Sequence, residues 1–253
     1  MTLSRWGTML VAGLGMALVA ALPAAAATRI VKQLDLPPGG RLIVDSDLGN
    51  VTVQGGAASG AAIVLTSNRD DLEKDYEMTF TSAAGTAQVT IKRRHDVSWL
   101  GLWTNRHEEA TIAVTVPRAT AASVRLSGGE ITAAALDGET DLRSAGGSIH
   151  VHDLSGRLTA KSSGGNVEAR GIRGNVLLAS AGGELLAADV KGEVDAASSG
   201  GGVDIARVSG GVRGRSSGGD VTIRDAGGRV VASSSGGSVR VVFAPGNAHG
   251  GEV

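Results

Sequence analysis

The sequence predicts an all-β protein: a β-solenoid (β-helix-like) of about seven 18-residue coils, preceded by an N-terminal β-rich cap segment. Three observations carry this. Gly-Gly pairs recur every 18 residues: Gly128-Gly129, Gly146-Gly147, Gly164-Gly165, Gly182-Gly183, Gly200-Gly201, Gly218-Gly219 and Gly236-Gly237. A second column, Gly138, Gly156, Gly174, Gly192, Gly210, Gly228 and Gly246, keeps the same period. Between the glycines, apolar residues sit two apart, the period of a strand with one buried face. Glycine fills 39 of 253 positions. That is about twice the average of roughly 7 %, but the register separates it from disorder, and the 18-residue spacing separates it from collagen.

The first element, residues 1–27, reads as a signal peptide. Arg5 supplies the positive end, residues 7–22 are apolar, Pro23 breaks the helix, and Ala24 to Ala27 offer small residues for cleavage. An apolar run of about 16 residues is short of the ~20 a spanning helix needs. Cleavage before Ala27 or Thr28 would leave an exported chain, periplasmic or extracellular, with no transmembrane helix.

Residues 28–125 form the cap segment. Strands are expected at Arg41–Asp45, Val51–Val53, Ala62–Thr66, Tyr76–Phe80, Ala87–Ile91 and Ile112–Val116, and 47–53 looks like one degenerate copy of the repeat. A cap is needed because an open solenoid end exposes unpaired strand edges.

Residues 126–247 are the solenoid proper. Columns such as Ile131, Ile149, Val167, Leu185, Val203, Val221 and Val239 would face inward. The pairs Gly128-Gly129 through Gly236-Gly237 are expected as structural turn glycines, tolerating a tight corner and letting coils approach. The Ser144, Ser162, Ser180, Ser198, Ser216 and Ser234 column sits at that corner, where hydroxyls satisfy turn backbone groups. Phe243 and Pro245 interrupt the last coil and could close it, and 248–253 is a tail.

The residues Val116-Pro117, the run Val124-Arg125-Leu126-Ser127-Gly128-Gly129, the Ser-Ser-Gly-Gly-x-Val units at 162–167 and 216–221, and the 47–53 motif resemble a bacterial family. This is the exported "putative adhesin" domain of unknown function, a glycine-rich β-solenoid. The resemblance spans roughly residues 30–245. It implies the fold and an adhesin-like role, and brings no catalytic residues.

Composition removes several function classes. With no cysteine there is no disulfide framework, thiolate metal site or thiol nucleophile. A net charge of −1 lacks the basic excess that draws nucleic acid. Asp153, Asp189 and Asp225 share a column but skip alternate coils, unlike a calcium β-roll. His150 and His152 lie two apart on one strand with Glu168 beside them, but two surface histidines are not a metal site without a well-aimed third ligand. The reading is therefore no metal, no cofactor and no catalytic residue.

One segment departs from the scaffold. Residues 93–109 interrupt two strands and carry Arg93, Arg94, His95, Trp99, Trp103, Arg106 and His107. Tryptophan and arginine are favoured anchors of binding surfaces. These seven are the candidate binding residues, unless Trp99 and Trp103 fold back to plug the solenoid end. The partner stays open between an envelope protein, a polysaccharide and a lipid surface. The function expected is a non-enzymatic binding or structural protein of the bacterial envelope. The alternatives are a carbohydrate-active β-helix enzyme, weakened by the lack of a persuasive carboxylate pair, and a partner-sensing module in envelope signalling.

Overall fold

The computed structural model describes residues 27–94, 109–245 and 251–252. The expected signal peptide, and His95, Trp99, Trp103, Arg106 and His107, lie outside the described residues.

The chain begins with β1 (Thr28–Leu34), β2 (Arg41–Ser46), β3 (Asn50–Ala57) and β4 (Ala61–Ser67). A single helical turn, α1 (Leu72–Asp75), leads to β5 (Tyr76–Ala83), β6 (Thr86–Arg93) and β7 (Ala110–Pro117). Seven coils then follow in sequence order. They are β8 (Ala121–Leu126) with β9 (Ile131–Ala134), β10 (Thr140–Ser144) with β11 (Ile149–Ser155), and β12 (Leu158–Ser162) with β13 (Val167–Arg173). Next come β14 (Val176–Ser180) with β15 (Leu185–Lys191), β16 (Val194–Ser198) with β17 (Val203–Val208), and β18 (Val212–Ser216) with β19 (Val221–Ala226). The last is β20 (Val230–Ser234) with β21 (Val239–Phe243), and β22 (Gly251–Glu252) adds a short edge. The all-β solenoid with an 18-residue coil is thus as the periodicity predicts. The six cap strands all form, each longer than its apolar pattern, and β8 crosses the 125/126 boundary.

Two sheets face each other. One runs β1-β4-β7-β3-β9-β11-β13-β15-β17-β19-β21, the other β22-β20-β18-β16-β14-β12-β10-β8-β2-β6-β5. The N-terminal segment therefore supplies two further coil levels, and their order is not the chain order. The β2–β3 level stacks in parallel on β8–β9, and the later β6–β7 level stacks on the far side of β2–β3. Three antiparallel strands finish that end: β4 and β1 beyond β7, and β5 beyond β6. Leu36, Leu72 and Tyr76 are fully buried there, with Ile30, Leu34, Met78 and Phe80 packed against them. At the other end Phe243 remains 38 % exposed and does not cover the core.

The interior is one apolar column. Each large aliphatic removed from water contributes roughly 1.5–3 kcal/mol. Facing positions trade volume. Ala187 sits in the coil of Leu178, Ile205 in the coil of Ala196, and Ile223 in the coil of Gly214. At Gly214 the missing side chain leaves room for the Ile223 and Ile205 Cδ1 atoms, 3.3 and 3.5 Å from where a Cβ would stand.

The Gly-Gly corner has a repeated bonding scheme. Each Ser Oγ accepts the N–H of the second glycine of its own coil and donates to the carbonyl of the second glycine one coil back. At Ser180 these bonds are 2.9 Å from Gly183 and 3.0 Å to Gly165. The same pair of bonds forms at Ser144, Ser162, Ser198, Ser216 and Ser234. The serines thus form a ladder inside the corner. The two glycines of a pair differ. A Cβ on the second would lie 1.8–2.5 Å from backbone of the preceding coil, from Gly129 through Gly237. On the first it meets nothing closer than 3.1 Å. Close approach is thus the constraint, and only Gly129 of these fourteen also has a positive φ, +87°.

A third periodic position emerges at a bend within or just after the second strand of successive coils. Ala135, Asp153, Gly171, Asp189, Arg207 and Asp225 all have φ between 53° and 67°. Asp tolerates left-handed backbone better than most residues, which gives the Asp column a conformational role.

Candidate functional site

The two ends of the 93–109 segment, at Arg94 and Glu109, lie where the β6–β7 level would otherwise make its Gly-Gly corner. Both of its stems are rooted in residues 68–76, between β4 and β5. On the first stem the Arg94 N–H donates to the Asp75 carbonyl at 2.8 Å, and Arg94 Nε to the Tyr76 carbonyl at 3.2 Å. Arg93 Nη2 donates to Tyr76 Oη at 2.6 Å, with the guanidinium 5.1 Å from the ring centroid. On the second stem the Glu109 N–H donates to Asn68 Oδ1 at 3.2 Å, and the Asn68 N–H to the Glu109 carbonyl at 3.1 Å. Arg69 stiffens this base by pairing with Asp71 and Asp75, each at 2.6 Å.

The candidate residues therefore divide. Arg93 and Arg94 are committed to Tyr76, although both remain exposed. The other five, His95, Trp99, Trp103, Arg106 and His107, lie outside the described residues. The sequence does not mark Tyr76, Asn68, Arg69 and Asp47, because their partners are 17 to 80 residues distant or hidden in a short helical turn. A cavity of about 410 Å³ opens beside the second stem, lined by Gly49, Asn50, Glu109, Ala110, Thr111 and Gly129.

Asp47 ties three levels together beneath the first stem. It accepts from Ser127 Oγ at 2.5 Å, Lys92 Nζ at 3.3 Å and the Arg93 N–H at 3.3 Å. Partial burial works against its charge, but the Ser127 hydroxyl, the Arg93 N–H and the Lys92 ammonium outweigh it, so its carboxyl stays below the ordinary 3.8. A carboxylate depressed in the fold adds stability above its unfolded value and loses it as pH falls through the depressed one. Asp47→Asn is thus expected to lower unfolding stability at pH 7 by about 1 kcal/mol. The gap should narrow as pH falls through and below the ordinary carboxylate range, read by urea titration across pH.

The histidines sit on the outer face of the other sheet. His150 Nδ1 is 3.5 Å from Glu168 and His152 Nδ1 is 3.3 Å from Asp153. Glu168 also accepts from Arg170, whose hydrogen bond is the main cause of its lowered pKa. Arg207 clamps Asp189 at 2.6 and 2.9 Å and holds its carboxyl below the usual range. Among the described residues no three His, Asp or Glu converge to hold a metal ion. No helix there is long and apolar enough to cross a membrane.

The described chain is similar in fold to solved bacterial proteins. One is a "putative adhesin" from Bacteroides fragilis, 15 % identical, covering 88 % of this chain and 95 % of that one, TM-score 0.49. A "putative cell adhesion protein" from Clostridium sporogenes is 10 % identical over 85 % of this chain and 99 % of that one, TM-score 0.41. A "putative lipid binding protein" from Parabacteroides distasonis is 12 % identical over 89 % and 96 %, TM-score 0.42. No curated protein matches the sequence. A family profile described as Toastrack DUF4097, a domain of unknown function, matches residues 40–249. With most of its length matched in this way, the chain belongs to the Toastrack DUF4097 family.

Proposed function

We propose that this is an exported, non-enzymatic binding or structural protein of the bacterial cell envelope. Its contact element is the 93–109 segment, displayed from the end of a stiff rod. The observation that supports this is the anchoring of both stems to one base, residues 68–76, in which Leu72 and Tyr76 are buried. A segment held at both ends loses less entropy on binding than a free one. It also carries both tryptophans of the chain after residue 27.

The test is binding of the chain from Thr28 onward to a glycan array, to anionic vesicles and to envelope-protein fractions. The comparison is a Trp99→Ala/Trp103→Ala variant. Truncating two anchor tryptophans should weaken binding by about thirtyfold or more, with unchanged urea unfolding. Equal binding by both proteins, or turnover of a bound polysaccharide, would contradict the proposal. For export, the chain recovered from a periplasmic or culture fraction should begin at or near Thr28.

A further inference from the structure

On the outer face of the β8-to-β20 sheet, three cations stand in register on consecutive strands. Arg125 of β8 lies opposite Arg143 of β10, and Arg143 lies opposite Lys161 of β12. Parallel neighbours are ~4.8 Å apart, and like charges placed directly opposite destabilise a sheet. Elsewhere on the outer faces, several charges are matched between coils, although Arg173 also lies opposite Lys191. Asp195 meets Arg213 and Arg215, Asp204 meets Arg224, and Asp189 meets Arg207. Arg143 has a carboxylate, Asp141 at 3.1 Å on its own strand. Arg125 faces Asp45 of β2 on its other side, but that carboxylate is held by Lys92 at 2.7 Å. Arg125 and Lys161 are exposed and have no ion pair among the described residues.

The row continues with small side chains. Ala179 and Ala197 follow Lys161 in register and leave a trough of about 590 Å³. The exposed residues Ser163 and Ser199 border it along the corner. From β8 to β16 the trough runs about 20 Å straight along the rod.

We propose that this trough binds a linear anionic polysaccharide, its carboxylates drawn to the row of Arg125, Arg143 and Lys161. A polyuronate carries carboxylates along a straight chain, which complements a straight row of cations exposed on one face. The alternatives fit less well. The neighbouring row on the same face carries Asp141 and Asp195, so a flat anionic membrane would meet carboxylates along with the cations. The aromatics among the described residues, Tyr76, Phe80 and Phe243, all lie away from the trough, so it has no platform on which bases of a single strand would stack. None of its lining residues belongs to the 93–109 segment.

The experiment titrates the full chain from Thr28 with oligogalacturonate, with a neutral maltodextrin of equal length, and with phosphatidylglycerol vesicles. The variant is Arg125→Gln/Arg143→Gln/Lys161→Gln, and its fold is checked by circular dichroism and urea unfolding. Expected is binding to oligogalacturonate alone, falling as salt rises and at least about tenfold weaker in the variant. The Trp99→Ala/Trp103→Ala protein should retain it. The proposal is overturned by equal binding of variant and parent, by no binding to oligogalacturonate, by preference for vesicles, or by loss only in the tryptophan variant.

Discussion

Gly147→Ala should collapse the stability of the rod, while Gly146→Ala, one residue earlier, should leave it within about 0.5 kcal/mol of the parent. The Cβ added at Gly147 would stand 1.8 Å from the Gly129 carbonyl oxygen and 2.2 Å from its carbon. Both are backbone atoms of the preceding coil, so relief requires the coils to separate and the flanking ladder bonds to stretch. Overpacking of this kind costs about 3 kcal/mol or more where nothing can yield. The Cβ at Gly146 meets only the Gly128 Cα, at 3.8 Å, an ordinary contact. Urea midpoints of the two variants read the difference directly. Similar losses in both would mean that the glycines serve backbone conformation and not close approach.

Ser180→Ala is expected to cost about 1–3 kcal/mol, the range for a buried donor left without a partner. Ser180 is 5 % exposed, and its Oγ is the acceptor for the Gly183 N–H. Ser233→Ala, at an exposed position on β20, should be neutral. The ladder also predicts how losses combine. Ser198 donates to the Gly183 carbonyl while Ser180 accepts from the Gly183 N–H. The Ser180→Ala/Ser198→Ala double variant strips one residue twice, so its loss should depart from the sum. Ser180→Ala/Ser216→Ala shares no glycine and should add within about 0.5 kcal/mol.

The repeat itself was fully legible, because each inward column keeps its period against two independent glycine columns. The corner role of the serines was also legible, since nothing that could activate a nucleophile recurs beside them. Three features were not. The Ala135-to-Asp225 bend uses Asp, Gly, Ala and Arg for one backbone conformation, so a count of glycines alone misses it. The unequal burden on the two glycines of each pair is a matter of inter-coil distance, and identical letters conceal it. The level order is hidden because β2, β3, β6 and β7 carry ordinary alternating patterns, and alternation states which face is buried but not which strand lies alongside. The 47–53 motif does read as a repeat copy, and Asn50 accepts from the Glu130 N–H as Asn166 and Asn175 accept in the later coils, although the Ser46 hydroxyl bonds only to Leu48 of its own coil. Of the candidate site, the segment was visible as a break in the pattern. Its anchorage was not, because Tyr76 sits at the start of β5 with nothing local to mark it as the seat of Arg93.

The placement of the 93–109 segment at the outermost coil rests on β2–β3 lying between β6–β7 and β8–β9, and the absence of native cysteine makes this directly measurable. Ile43 is in register with Gln88 on one side and Ser123 on the other. Neighbouring strands bring Cα atoms within disulfide range, whereas strands two apart lie beyond it. Oxidation should therefore crosslink Ile43→Cys/Gln88→Cys and Ile43→Cys/Ser123→Cys, and leave Gln88→Cys/Ser123→Cys reduced. A crosslink between positions 88 and 123, with position 43 unable to reach one of them, would mean that the levels stack in chain order and would contradict the account.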